Sequence, residues 1–371
     1  MIMMGKVFIA LIWTFWVLVS GSVAEGNPSD QVGMSEPIKE EYIPTYSSTF
    51  DRVKNRGYVI CGTNDEFPGF SQETWGEDGG DKWVGFDVDI CRAVAVAIFG
   101  NVDDIEFTVV NGRTRFEFLI DGSIDILSAA TTFTYTRNVT KKLEFMPTTY
   151  YDGQGFIVRK TLGVSSAKQM QGARICFSGS GTAAKNIADF MELHGIHYIP
   201  VNVPPNEKTK NVYKRGDCDM YGTDRSGLAS NRLSFDDPSR HMILPEIISK
   251  EPLGPVVRYG DQKWSDIVRW TIYVLFVAEE MGINSQNIDN FKNNIDPYIQ
   301  RFMGEKNGID HPHLGDKLGL SATWSYDIIK QVGNYEEIYE RNIGVNTPLG
   351  LKRGLNRLYN HGGLLYAPPL K

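Results

Sequence analysis

Asp125-Ile-Leu-Ser-Ala-Ala-Thr-Thr-Phe-Thr-Tyr-Thr-Arg137 is the stretch on which the reading of this chain turns. Asp125-Ile-Leu has the pattern of a short buried strand led by one acid. Ala129 and Ala130 follow, small enough to let a ligand approach the backbone. Hydroxyls cluster at Thr131, Thr132, Thr134 and Thr136, and Arg137 closes the run. Thr134 suits the N-cap of a helix that starts there. Together these features make a seat for one carboxylate. Backbone N–H groups at a helix start attract anions, and a planar guanidinium grips both carboxylate oxygens at once. The competing reading is a strand-to-helix turn with capping threonines and a solvated arginine. Local sequence leaves the two open.

Working outward, strands and helices alternate on both sides of this stretch. Upstream, Phe50, Val53 and three basic residues suggest a short helix ended by Gly57. A strand at Tyr58-Val-Ile-Cys61 and a loop to Phe70 with two exposed aromatics come next. A helix running to Phe99, a strand over 105–110 and a helix over 115–120 complete this side. Downstream, 150–159 is extended and the pattern restarts. Strands are expected over 174–177 and 197–203 and after Cys218, with helices over 182–194 and 209–215. Alternation of this kind indicates parallel sheets flanked by helices. Ser249 to Arg258 is extended and proline-marked, as a crossing between domains would be. A helix from Trp264 to Met281 and a long helical tail to Lys371 follow.

The N-terminus reads as a secretory signal: Lys6, an apolar run over 7–20, and small residues at Ser22-Val23-Ala24 before Glu25. The apolar core falls short of the ~20 residues a spanning helix needs, and residues 25–48 read as a loose leader rich in Pro, Ser, Glu and Gly. Loss of Lys6 with the signal takes the net charge from −7 to −8, which argues against nucleic-acid binding. Residues 267–278 are too few to span a bilayer and contain Arg269, so a soluble mature protein is expected. The four cysteines, Cys61, Cys91, Cys176 and Cys218, suit disulfides in an exported chain. Three connectivities are open; pairing within each region would tie strand to helix twice, each bridge contributing ~3–4 kcal/mol.

Several motifs carry less than they first suggest. Gly179, Gly181 and Ala184 match G-x-G-x-x-A after a strand, yet no acid ends the following strand as a dinucleotide site requires. The same backbone still forms a cradle for a small polar ligand. His194 with His197, and His311 with His313, lack a third ligand at metal spacing; no metal and no cofactor are expected. Ser180 has no evident histidine partner, and Asn138-Val-Thr140 fits a glycosylation acceptor. Asp224 lies at the carboxyl end of an expected strand, where open α/β sheets place ligands; the alternative is an N-cap for the next helix. An arginine in one unit and an aspartate in the other have the charges an α-amino acid needs.

From Phe50 to the C-terminus the chain resembles the periplasmic solute-binding proteins of polar amino-acid ABC transporters, most of all the longer general L-amino-acid subgroup. The resemblance rests on Gly85-Phe-Asp-Val-Asp-Ile-Cys-Arg-Ala-Val-Ala95, Tyr150-Tyr-Asp-Gly-Gln-Gly-Phe-Ile-Val-Arg-Lys160, Leu244-Pro-Glu-Ile-Ile-Ser-Lys-Glu-Pro-Leu-Gly-Pro255, Ile329-Lys-Gln-Val-Gly-Asn-Tyr335 and Tyr366-Ala-Pro-Pro369. It implies an α/β fold of two lobes, the type II periplasmic-binding-protein architecture, with a mixed sheet in each and two crossover segments. Lobe one would span 49–151 and the return segment from 250, with a C-terminal helical extension to 371; lobe two would span 152–249. By position, Arg137 would hold the ligand carboxylate with Thr132 and the backbone near Ala130, and Asp224 would meet the ammonium. Asn64 and Phe67 would face the ligand, and Ser180 and Thr182 would come from the glycine cradle. Relatives carry Gly-Thr-Thr where this chain has Ser180-Gly181-Thr182, which puts the hydroxyl roles there in doubt. Relatives that take cationic side chains carry an acid at the position of Asn64, which disfavours a strictly basic ligand. The implied protein is a periplasmic monomer that closes on a free L-amino acid and delivers it to a membrane permease. The rival is an exported enzyme on the same scaffold, a dehydratase or a lyase-associated domain, but the site motifs hold no spare acid or base.

Overall fold

Two five-stranded sheets organise the chain in the computed structural model, which describes residues 48–75, 81–179, 181–204, 207–305 and 313–371. The expected signal, nearly all of the leader, Ser180 and His311 lie outside the described residues. In the first sheet the strand Val59–Thr63 lies between Ile105–Val109 and Ile126–Leu127, all three parallel; Val256–Arg258 and Leu143–Phe145 complete it antiparallel. The second sheet repeats the scheme. Arg174–Ser178 lies between Ile199–Val203 and Met220–Asp224 in parallel, and Gln154–Arg159 and His241–Ile243 add on antiparallel. Each sheet is therefore mixed. Between them the crossing segments pair as a ribbon, Tyr150–Asp152 against Glu251–Leu253.

The helix Phe86–Phe99 is apolar nearly all round and buries almost every side chain, as a helix sandwiched between neighbours must. Gly85 precedes it at φ 134°, where a Cβ would stand 2.3 Å from the carbonyl oxygen of Phe70; only glycine fits there. The helices Gln262–Glu280 and Trp324–Val332 pack against it. Phe86, Phe276, Tyr335 and Tyr339 form an edge-on aromatic cluster, and the Tyr335 hydroxyl donates to Thr149 O at 2.7 Å. Phe70 is buried beneath Phe67, their rings stacked at 4.6 Å. The two loop aromatics expected to be exposed thus form a buried and a half-buried pair.

Asp125 anchors the opening stretch. Its side chain is buried and accepts from Ile60 N at 2.8 Å and from the Arg56 guanidinium, with Arg52 3.6 Å away. Its backbone oxygen receives Trp264 Nε1 at 2.9 Å. Asp125→Ala strands a buried N–H and a guanidinium, and is expected to lower stability by about 3 kcal/mol. An unchanged urea midpoint would contradict that.

Both disulfides fall within their regions, Cys61–Cys91 and Cys176–Cys218. The first joins strand to helix; in the second, Cys218 sits in the turn before Met220–Asp224 rather than on a helix. The expected long helical tail is also corrected. Past Gln262–Glu280 the α-helices are short, Pro297–Met303, Trp324–Val332 and Tyr335–Asn342, and beyond Asn342 only single turns at Gly354–Asn356 and Tyr359–His361 occur among the described residues. Glycines and prolines from Gly344 onward interrupt any longer helix.

Candidate ligand-binding cleft

In each sheet the loops that follow the parallel strands converge on one cleft of about 380 Å³. This is the end at which open α/β sheets hold ligands. Asn64 follows Val59–Thr63, Ala129 and Ala130 follow Ile126–Leu127, Thr182 comes from the loop after Arg174–Ser178, and Asp224 ends its own strand. Phe67, Thr132 and Arg137 line the same cleft. Seven of the eight residues named from the sequence are thus brought together; the eighth, Ser180, lies outside the described residues.

Arg137 sits in the single wide helical turn Thr136–Thr140, whose first amides are satisfied from Thr134: its hydroxyl accepts from Arg137 N at 3.3 Å. The capping reading of Thr134 and the ligand reading of Arg137 are therefore compatible. The Arg137 side chain is buried, and its Nη1 donates to Thr132 O at 2.7 Å. Burial weakens its hold on the proton, while Glu251 and Asp224 strengthen it. Ala130 has an unusual backbone, φ 44°, and its N–H donates to Asp87 Oδ2 at 3.0 Å. Asp87 thus holds the Ala130 N–H, while Ala130 itself lines the cleft. Ser128 Oγ donates to the other Asp87 oxygen at 3.0 Å, and burial lifts the Asp87 carboxyl to about 6. Asp87, at the start of Phe86–Phe99, thereby shapes the turn that carries Ala130.

Asp224 precedes the helix Arg225–Leu233 but does not cap it with its side chain. Asp152 takes that part, accepting from Ser226 N at 3.0 Å. Relieved of capping, the Asp224 carboxylate lines the cleft. Burial raises its pKa well above the ordinary range, with Asp152 and Glu251 adding repulsion and Arg137 and Arg115 opposing the rise. Such a group gains strongly from an incoming cation. Thr182 Oγ1 stands 3.5 Å from Glu251 Oε2. Asn186 Nδ2 joins Glu251 to Gln154 at 2.8 and 2.9 Å, so the start of the helix Ala183–Leu193 is tied to the crossing strands.

Sequence reasoning missed Arg115. It opens the helix Arg115–Asp121 and lines the cleft, with long contacts from Nη1 to Ala129 O and Thr131 Oγ1, both 3.4 Å. Its Nε is buried without a hydrogen-bond partner among the described residues. Burial and the neighbouring charge of Arg137 bring its pKa down to about 10. A cation in the first turn opposes the helix dipole, and that was the signal available in Thr-Arg-Phe. Also missed were Lys208 and Lys210, which reach from the second sheet's side of the cleft to Glu66 at 2.7 and 3.2 Å.

Comparison with known proteins fits this geometry. Residues 59–310 match the model of the bacterial extracellular solute-binding proteins, family 3. The chain is 47% identical over 325 residues to the general L-amino acid-binding periplasmic protein AapJ of Rhizobium johnstonii, covering 88% of this chain and 93% of that one. It is 43% identical to the glutamate/glutamine/aspartate/asparagine-binding protein BztA of Rhodobacter capsulatus, over 88% of this chain and 94% of that one. A periplasmic binding protein from Brucella ovis, solved with glutathione bound, superposes with a TM-score of 0.83 at 43% identity. It covers 88% of this chain and 100% of that one.

Proposed function

The chain belongs to the bacterial extracellular solute-binding proteins, family 3, and from that premise we propose that it captures free L-amino acids outside the cytoplasm and delivers them to an ABC permease for uptake. The observation that carries the ligand class is the meeting of Arg137 and Asp224, from different sheets, at one cleft. An α-amino acid brings a carboxylate to the first and an ammonium to the second. Desolvating both charges is tolerable because each then has a partner. The family and the relatives are solute-binding proteins, so the exported-enzyme alternative finds no support among them.

Lobe one would comprise 49–151 with the return from 250, and lobe two 152–249, hinged at the paired crossing strands. Ligand shifts the balance between open and closed forms by its preference for the closed one, and the permease would recognise that form. The periplasmic names of the relatives support the same location here, with 1–24 removed on export, and a monomer is sufficient for the clamp. Asn64, Phe67, Ser180 and Thr182 would face the side chain. Arg115, a cation in the cleft with an unpartnered Nε, favours polar and acidic side chains; BztA supports that preference and AapJ a broad one. The glutathione of the Brucella ovis relative favours a cleft with room beyond a free amino acid.

A thermal-shift screen of the common L-amino acids tests the reading, since a ligand of the native state raises its unfolding temperature. Polar and acidic amino acids are expected to raise it; no shift with any of them would contradict the function. Glu66 with Lys208 and Lys210 would then act as a latch across the cleft mouth. Glu66 and Lys208 are largely exposed and only Lys210 is mostly covered, so Glu66→Gln is expected to weaken affinity only about threefold, mostly through faster release, and less in high salt. Stopped-flow release at two salt concentrations measures this; equal release rates for the two proteins at low salt would remove the latch.

A further inference from the structure

The cleft does not end at Arg137. A second cavity of about 710 Å³ adjoins it, and Gly112, Arg137, Gly181 and Thr182 are walls of both. Its lining carries three further cations, Arg113, Lys141 and Lys185, against one carboxylate, Glu117, beside the rings of Phe116 and Tyr135. Arg115, Arg137 and Lys141 surround the ring of Phe116 at 5.3, 5.4 and 5.0 Å, which concentrates positive charge at the boundary between the two spaces. Ala183–Leu193 also begins there with no side-chain cap among the described residues, so its first-turn N–H groups add to the positive potential.

We propose that this second chamber receives the carboxylate-bearing tail of an amino acid extended through its side chain, the chemical class being γ-glutamyl and β-aspartyl peptides. The inference rests on the reading that Arg137 and Asp224 hold the head group. That requirement selects the linkage. In an ordinary peptide the N-terminal residue has its α-carboxyl in the peptide bond, and the C-terminal residue has its α-amino group there. Neither satisfies Arg137 and Asp224 together. A side-chain amide leaves both α-groups free and sends the rest of the molecule out of the first cleft. Its terminal carboxylate then needs cations, and Arg113, Lys141 and Lys185 supply them.

Isothermal titration calorimetry with L-glutamine, γ-L-glutamylglycine and α-L-glutamylglycine tests this. Glutamine carries the same side-chain amide without the tail. The γ-linked dipeptide is expected to bind and the α-linked one not to. In the triple variant Arg113→Gln, Lys141→Gln, Lys185→Gln the γ-linked dipeptide is expected to lose about tenfold in affinity while glutamine stays within about twofold. All three side chains are exposed, so the fold tolerates the change; Lys185→Gln alone, expected to cost about twofold, gives a second reading. Failure of the γ-linked dipeptide to bind where glutamine does would overturn the chamber. So would an unchanged affinity in the triple variant, or an equal loss for both ligands. Absence of binding by glutamine and every other free amino acid would instead overturn the head-group reading itself.

Discussion

Arg137→Ala is expected to abolish measurable amino-acid binding while the protein unfolds at nearly the same temperature. Removing one member of a buried charge pair costs ~4 kcal/mol, about a thousandfold in affinity, because the ligand carboxylate would be desolvated with nothing to replace water. The cost to the fold is much smaller. Among the described residues the Arg137 side chain makes one hydrogen bond, to Thr132 O at 2.7 Å, worth about 1 kcal/mol, besides its contact with the Phe116 ring. Its removal gives up attraction to Glu251 and Asp224 but relieves the repulsion it exerts on Arg115. Calorimetry with L-glutamine and a thermal melt of the variant separate the two effects. Undiminished binding would remove Arg137 from the site; a collapsed melt would recast it as structural.

The second large effect is a dependence of affinity on pH that runs through Asp224. In the free protein its carboxyl is held well above the ordinary range by burial, Asp152 and Glu251, against Arg137 and Arg115. The ammonium of a ligand favours the ionised carboxylate, so binding releases the proton wherever the free protein still carries it. Affinity therefore rises with pH through the raised value and levels off above it. The sign for stability is the opposite. A carboxyl raised on folding adds stability that is full below its unfolded pKa and lost as pH rises through the folded one. Asp87, lifted to about 6, and Asp152, also raised, act in the same direction. The ligand-free protein is thus expected to lose stability from these groups as pH climbs from acid toward neutral, and ligand to restore the share due to Asp224. Asp224→Asn removes the pH dependence together with most of the affinity, about a hundredfold or more. Titrations from pH 5 to 8.5 check both; a flat profile in the wild type would exclude Asp224 as the ammonium partner.

Much of this molecule was legible because its elements obey simple periods. The strands Val59–Thr63, Ile105–Val109 and Arg174–Ser178 and the helices Thr49–Arg56 and Thr209–Arg215 stand where short apolar runs, basic last turns and following glycines put them. That Arg137 and Asp224 would line one cleft was legible because Arg137 closes a strand-and-turn pattern and Asp224 ends a strand. Asp87 was hidden because an acid in a helix's first turn reads as an ordinary dipole partner, and its grip on Ala130 N spans 43 positions. Glu251 was hidden as one charge in an extended crossing segment; its partner Asn186 lies 65 positions away on a helix and meets it only in the folded chain. The tail was misjudged because buried Trp324, Tyr335 and Tyr339 give helical spacing locally, while the glycines and prolines beyond them decide the rest.

On the proposed reading, capture would depend on two charges, Arg137 and Asp224, that reach one cleft from different parts of the fold, and the clamp would be complete only when both meet one ligand. The cradle at Asp125 to Arg137 would then fix which end of the amino acid enters the first lobe. Arg115, Asn64 and Phe67, which line the same cleft, would be left to read the side chain. A crystal structure of the protein with L-glutamine tests this most directly. The account predicts both oxygens of the α-carboxylate on the Arg137 guanidinium and the α-ammonium on Asp224, each within about 3 Å. A ligand bound in the reverse orientation, or away from either residue, would contradict it.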